Sequence, residues 1–110
     1  MTKPQEKAET AKKLLQTSNC ILTPGAFMDG LVLAGLMEKV EYLSTSGSGE
    51  IKHFYKVSER GLIFGKNKHN PFHEIKTDPL FYSARFLELY AISCAEIAKH
   101  AQALLAAHIE

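Results

Sequence analysis

At 110 residues, with 45% apolar and 23% charged side chains, the chain has the size and composition of one packed soluble domain that needs no covalent staples. Thirteen Lys plus Arg against twelve Asp plus Glu leave a formal charge of +1. That excludes a nucleic-acid binder that is basic over its whole length, though not a local basic patch.

The opening stretch, MTKPQEKAETAKK, is charged and has no apolar h-region, so no signal peptide is expected there. Residues 5–16 are good helix formers with an apolar stripe of Ala8, Ala11, Leu14 and Leu15, and Thr17, Ser18 and Asn19 end the segment. Thr23-Pro24 is a second helix start, Thr as N-cap and Pro as first helical residue, for a helix running to about Ala34 with Gly35 as its terminator. Gly25 and Gly30 weaken that helix by about 1 kcal/mol each, so tertiary packing must hold it. The run from Gly30 to Met37 is too short to cross a bilayer.

The period then changes to two. Val40, Tyr42 and Ser44 alternate with Glu41 and Leu43. Ile51, His53, Tyr55 and Val57 alternate with Lys52, Phe54 and Lys56. Residues 45–50 between them, TSGSGE, are turn chemistry, which predicts a β-hairpin. Ser58 is expected to cap a short helix over residues 59–64, closed by a left-handed Gly65. Residues 66–79 read as a loop with two prolines and two asparagines. Leu80 or Ser83 is expected to open a long helix towards His108, with one stripe of Leu87, Ala91, Cys94, Ala98, Ala101 and Leu105 and another of Phe86, Tyr90, Ile97, Leu104 and His108. A helix apolar on two faces in so short a chain calls for a second copy. Residues 84–106 are the expected homodimer interface, with Leu87, Tyr90, Ala91, Cys94, Ile97, Ala98 and Ala101 as its contacts.

Residues 33–65 resemble a winged-helix domain. The resemblance is carried by Leu33-Ala34-Gly35-Leu36-Met37-Glu38, by the hairpin as wing, and by Tyr55-Lys56-Val57-Ser58-Glu59-Arg60-Gly61 as the wing's exit into a capped helix. Gly61-Leu62-Ile63-Phe64-Gly65-Lys66-Asn67 and residues 79–86 look like small winged modules of phage regulatory and antirepressor-type proteins. The resemblance implies a mainly α fold with a β-hairpin wing (α+β), winged helix-turn-helix-like with a long C-terminal helix. Residues 1–79 would form the winged-helix-like domain, and residues 80–110 the helix that packs on it and dimerises. The chain departs from the regulator pattern at its recognition helix, TPGAFMDGLVLAG, which has no Arg, Lys, Asn or Gln to read a base edge and carries Asp29, which repels phosphate.

Two functional expectations follow. One is a phage- or prophage-encoded regulator that touches DNA through wing and loop, with Lys52, Lys56, Arg60, Lys66, Asn67 and Lys68 as contacts. The other is a binder of a host or phage protein, such as an inhibitor of a host factor, without DNA contact. The exposed one of the aromatics Phe81 and Tyr82 would then be a contact anchor. Enzymatic chemistry is not expected. Cys20 and Cys94 sit in apolar settings, no phosphate-binding glycine loop is present, and His69 and His73 are separated by Pro71 where a two-histidine metal site would need a helix. No cofactor, no metal and no membrane partner are expected; with no CxxC pair a zinc ribbon or thioredoxin-type centre is excluded, and two cysteines without an export signal predict a cytoplasmic protein.

Overall fold

The computed structural model describes residues 7–44, 47–72 and 76–109. The elements in chain order are β1 (Ala8–Glu9), α1 (Ala11–Thr17), α2 (Pro24–Leu33), β2 (Met37–Leu43), β3 (Ile51–Val57), a 3-10 turn (Glu59–Ile63), β4 (Gly65–His69), β5 (Thr77–Tyr82), a second 3-10 turn (Ser83–Arg85) and α3 (Phe86–Ile109). The strands form two antiparallel sheets, β1-β5-β4 and β2-β3.

The expectation of a mainly α, winged-helix-like fold is therefore corrected: among the described residues three helices pack with five strands, and within the segment read as a loop after Gly65 two strands, β4 and β5, pair with each other. Two signals hid them. Lys66, Asn67, Lys68 and His69 are all polar, so β4 shows no alternation, and Pro79 lies inside β5, where a proline argues against a strand. Pro79 is tolerated because of which way it faces. Tyr82 donates its N–H to Phe64 O and Ser83 donates to Lys7 O, so the even residues of β5 bond β4 and the odd ones face β1. The missing N–H of Pro79 falls on the β1 side, beyond Glu9, where the chain has already turned into α1 and no partner strand remains.

Local caps explain the helix boundaries. Thr10 Oγ1 accepts from Lys13 N–H, which starts α1 at Ala11, later than expected because Ala8 and Glu9 form β1 (Gln5 and Glu6 lie outside the described residues), and Asn19, at φ 57°, ends the following turn. Thr23 Oγ1 accepts from Ala26 N–H with Pro24 at the first helical position, as the sequence predicts. Gly35 terminates the segment at φ +81°. Ser58 caps the 3-10 turn by accepting from Gly61 N–H. Gly65 is not in the left-handed region; it opens β4 pressed so closely on the Leu80 carbonyl that a side chain would collide with it. The long helix starts at Phe86, later than expected, because Leu80 to Tyr82 are spent on β5.

The core lies between α1, α2, the first half of α3 and the inner face of β5. Phe27 is its centre, edge-on to Phe81 at 5.6 Å and tilted against Phe86 at 5.2 Å, with Leu14, Leu15, Leu31 and Leu89 around them. Tyr82, next to the buried Phe81, is half-buried. Helices α2 and α3 run in the same sense: Phe27 meets Phe86 and Tyr90, and Gly30 meets Ser93. Past Leu33, α2 ends and α3 does not. The molecule measures 54 × 46 × 24 Å with a radius of gyration of 15.8 Å, against roughly 13 Å for a compact chain of this length.

Candidate interaction surfaces

The first surface is built by the two hairpins. Cross-strand neighbours share a face, and the register sets Lys52 opposite Tyr42, Lys56 opposite Glu38, Lys66 opposite Leu80 and Lys68 opposite Asp78. All four lysines are exposed, yet two of them stand across from carboxylates. Arg60 is exposed at the opposite end of β3 from the hairpin tip, its guanidinium lying over Gly35.

Asn67 has a different role from the one expected of a groove-reading residue. Its Oδ1 accepts from Val57 N–H at 2.7 Å and its Nδ2 donates to Val57 O at 2.9 Å. The side-chain amide thus imitates a paired strand and joins the two sheets, leaving it committed inside the fold.

The β2-β3 hairpin is held to α2 by one polar cluster. Tyr55 Oη donates to Asp29 Oδ1 at 2.6 Å, Lys39 Nζ lies 3.4 Å from the same oxygen, and that ammonium sits 5.3 Å from the centre of the Tyr55 ring. The Asp29 contact holds the Lys39 ammonium above the usual lysine range. Burial, and then Asp29, push the Tyr55 phenol up. Beyond this anchor the strands run out to a tip where Leu43 and Ile51, directly opposite each other, are both exposed. Gly47 and Gly49 turn the chain there in the left-handed region, while Thr45 and Ser46 lie outside the described residues. A groove of about 240 Å³ lies between the ribbon and β5, lined among others by His53, Tyr55, Thr77 and Asp78, and the buried Thr77 Oγ1 in its wall has no hydrogen-bond partner among the described residues.

The second surface is α3. Of the expected dimer contacts, Leu87, Ala91, Ala98 and Ala101 are exposed, and Cys94 is half-buried. Tyr90 turns inward: it stacks at 6.3 Å from Phe27, and its hydroxyl accepts from Ile21 N–H at 3.2 Å. Ile97 lines a groove of about 430 Å³ between α3 and the end of α2, with Asp29, Val32, Leu33 and His100. Residues 98–109 are all exposed. Leu104 and Leu105, within the expected interface, and Ile109, beyond it, continue the apolar surface, with 59%, 51% and 72% of their area in solvent. The signal for them was present in the sequence: after Lys99 no formally charged residue follows until Glu110.

The two cysteines are free. Burial first, and then the neighbouring Cys94, push the Cys20 thiol up, the opposite of a reactive thiolate. Among the described residues no group of three His, Cys, Asp or Glu side chains could hold a metal ion; His73 and Glu74, weighed as ligands with His69, lie outside them. Among the described residues no helix is long and apolar enough to cross a membrane. Compared with protein-family models, curated proteins and solved structures, the chain matches none.

Proposed function

We propose that this chain is a non-catalytic protein-binding module that works as a homodimer in the cytoplasm, pairing through α3 and presenting the β2-β3 ribbon to another protein. The observation that carries the reading is the second half of α3: twelve exposed residues, 98–109, containing three large apolar side chains and the single formal charge of Lys99. Burying a Leu or Ile fully is worth about 1.5–3 kcal/mol, so a partner surface on this helix has several kcal/mol to gain. A charged helix of the same length would have no such incentive. Two unpaired thiols, Cys20 and Cys94, fit a reducing compartment.

A protein target suits the ribbon better than DNA. Its tip is the apolar pair Leu43 and Ile51, and the carboxylates of Glu38 and Asp78 offset Lys56 and Lys68. Phosphate contact remains as a second reading because Lys52 and Lys66 are exposed and face Tyr42 and Leu80 rather than acids. A shift assay with random duplex DNA at about 50 mM salt separates the two, since phosphate contacts weaken steeply with salt. No shift at micromolar protein is expected. A shift that added salt abolishes, and that is lost when Lys52, Lys56, Lys66 and Lys68 are changed to Ala, would replace the protein-binding reading with the DNA one.

A further inference from the structure

We propose that two copies of this chain pair antiparallel along α3 about a two-fold axis level with Glu96, so that Leu87, Ala91 and Cys94 of one copy meet Leu105, Ala101 and Ala98 of the other. The inference rests on the homodimer reading above and specifies its geometry. Along the outward side of α3, Leu87, Ala91, Cys94, Ala98, Ala101 and Leu105 follow steps of four, three, four, three and four, the spacing of a helix-pairing seam. The seam is a palindrome: each member has a counterpart of matching size at the same distance on the far side of residue 96. A two-fold contact requires a surface that complements itself, and in an antiparallel pair large-small-small-small-small-large sets each residue against one of matching size.

The charges agree with this placement. No charged residue lies on the seam, and the charges of α3 are paired within their own chain, Glu88 with Arg85 of the preceding 3-10 turn and Glu96 with Lys99. Level with the axis, Ala95 and Ile97 flank the seam on its two sides, so no like charges face each other there. The small residues at the centre allow close approach, and the leucines close both ends. The lengths agree as well. The uncovered half of α3, residues 98–109, lies at the distances from Glu96 that bring it alongside residues 83–94 of the other copy, where Leu87 is 62% exposed and Ala91 is also in solvent. Each projecting half therefore covers the bare outer face of the other copy's body-bound half, and the two exposed regions account for each other. From Leu87 to Ile109 the helix runs about 34 Å.

Disulfide trapping in a Cys20→Ser, Cys94→Ser background tests the direction of pairing. Ala91→Cys and Ala101→Cys variants are prepared separately and oxidised mildly with diamide, alone and mixed. Two thiols lose two protons and two electrons to the diazene, which becomes the hydrazine. The antiparallel seam predicts a covalent dimer in the mixture and little in either variant alone. A covalent dimer in each variant alone would mean parallel helices and overturn the proposal. So would no cross-link in the mixture when light scattering shows a dimer, although the homodimer reading then survives. A single-chain mass by light scattering would end both.

Discussion

Gly30 and Ser93 occupy the point where α2 and α3 come closest: a side chain on Gly30 would collide with Ser93 Oγ and stand 2.8 Å from its carbonyl oxygen. Ser93 is fully buried, and its hydroxyl donates to Phe27 O at 2.8 Å, which satisfies the one polar group at the crossing. The helix weakening that glycine brings to α2 is thus offset by the approach it permits. Gly30→Ala is expected to lower stability by about 1–3 kcal/mol through overpacking, read as a fall in the thermal midpoint. Adding Ser93→Gly should recover part of the loss. An unchanged midpoint for the single variant would contradict the packing described.

Asn67 joins the sheets by bonding both polar backbone groups of Val57. Asn67→Ala leaves that donor and acceptor without partners inside the fold and is expected to cost about 1–3 kcal/mol. Asn67→Asp keeps the acceptor but loses the donor to Val57 O, and should also destabilise. Urea unfolding of the two variants measures this. A surface role for Asn67 would leave the midpoint where it is.

The Asp29-Tyr55-Lys39 cluster makes attachment of the ribbon sensitive to alkali. Tyr55 and Lys39 both hold their protons more tightly in the folded chain than their ordinary values. A group whose folded pKa is raised contributes stability in full below its unfolded pKa and loses it as pH rises through the folded one. Unfolded tyrosine and lysine titrate near about 10 and 10.4, so the cluster stabilises the fold at neutral pH and weakens above about pH 10. Lys39 is solvated, so most of the change is expected from Tyr55. Tyr55→Phe should flatten the fall in stability between about pH 9 and 11, followed by thermal melts at each pH; the same slope in the variant and the parent would remove the cluster from the account.

Residues legible in the sequence were those whose local chemistry acts alone. Thr23-Pro24 carries its own cap and first helical residue, and the alternation from Val40 to Val57 around a Ser/Gly turn marks a hairpin locally, whatever then anchors it. What stayed hidden depended on partners distant in the chain. β4 is a strand because Gly65 lies flat under Leu80 and Asn67 bonds Val57, and neither contact leaves a periodic mark. Pro79 reads as a loop residue until its missing N–H is seen to face no strand. On α3 the apolar stripes were visible, but the direction of Tyr90 was not. An aromatic ring with a hydroxyl suits either face, and the Phe27 ring and the Ile21 N–H, both distant in the chain, take it inward.

The projecting half of α3 gives a signature that depends on concentration. Twelve residues beyond the body form only a marginal helix without a partner. Diluting the protein through its dissociation range should therefore fray residues 98–109, and the helical far-ultraviolet circular dichroism signal per residue should fall with concentration. A signal constant over three decades of dilution, across which the mass changes from dimer to monomer, would show that the tail needs no cover.

Sedimentation equilibrium of the unmodified chain beside a Leu105→Glu variant tests the central claim, pairing through α3, most directly. The account predicts twice the 12.2 kDa chain mass for the parent at micromolar concentration and a single-chain mass for the variant, whose added carboxylate would be buried at both ends of the seam. A parent that sediments at the mass of one chain, or a variant that stays dimeric, would contradict it.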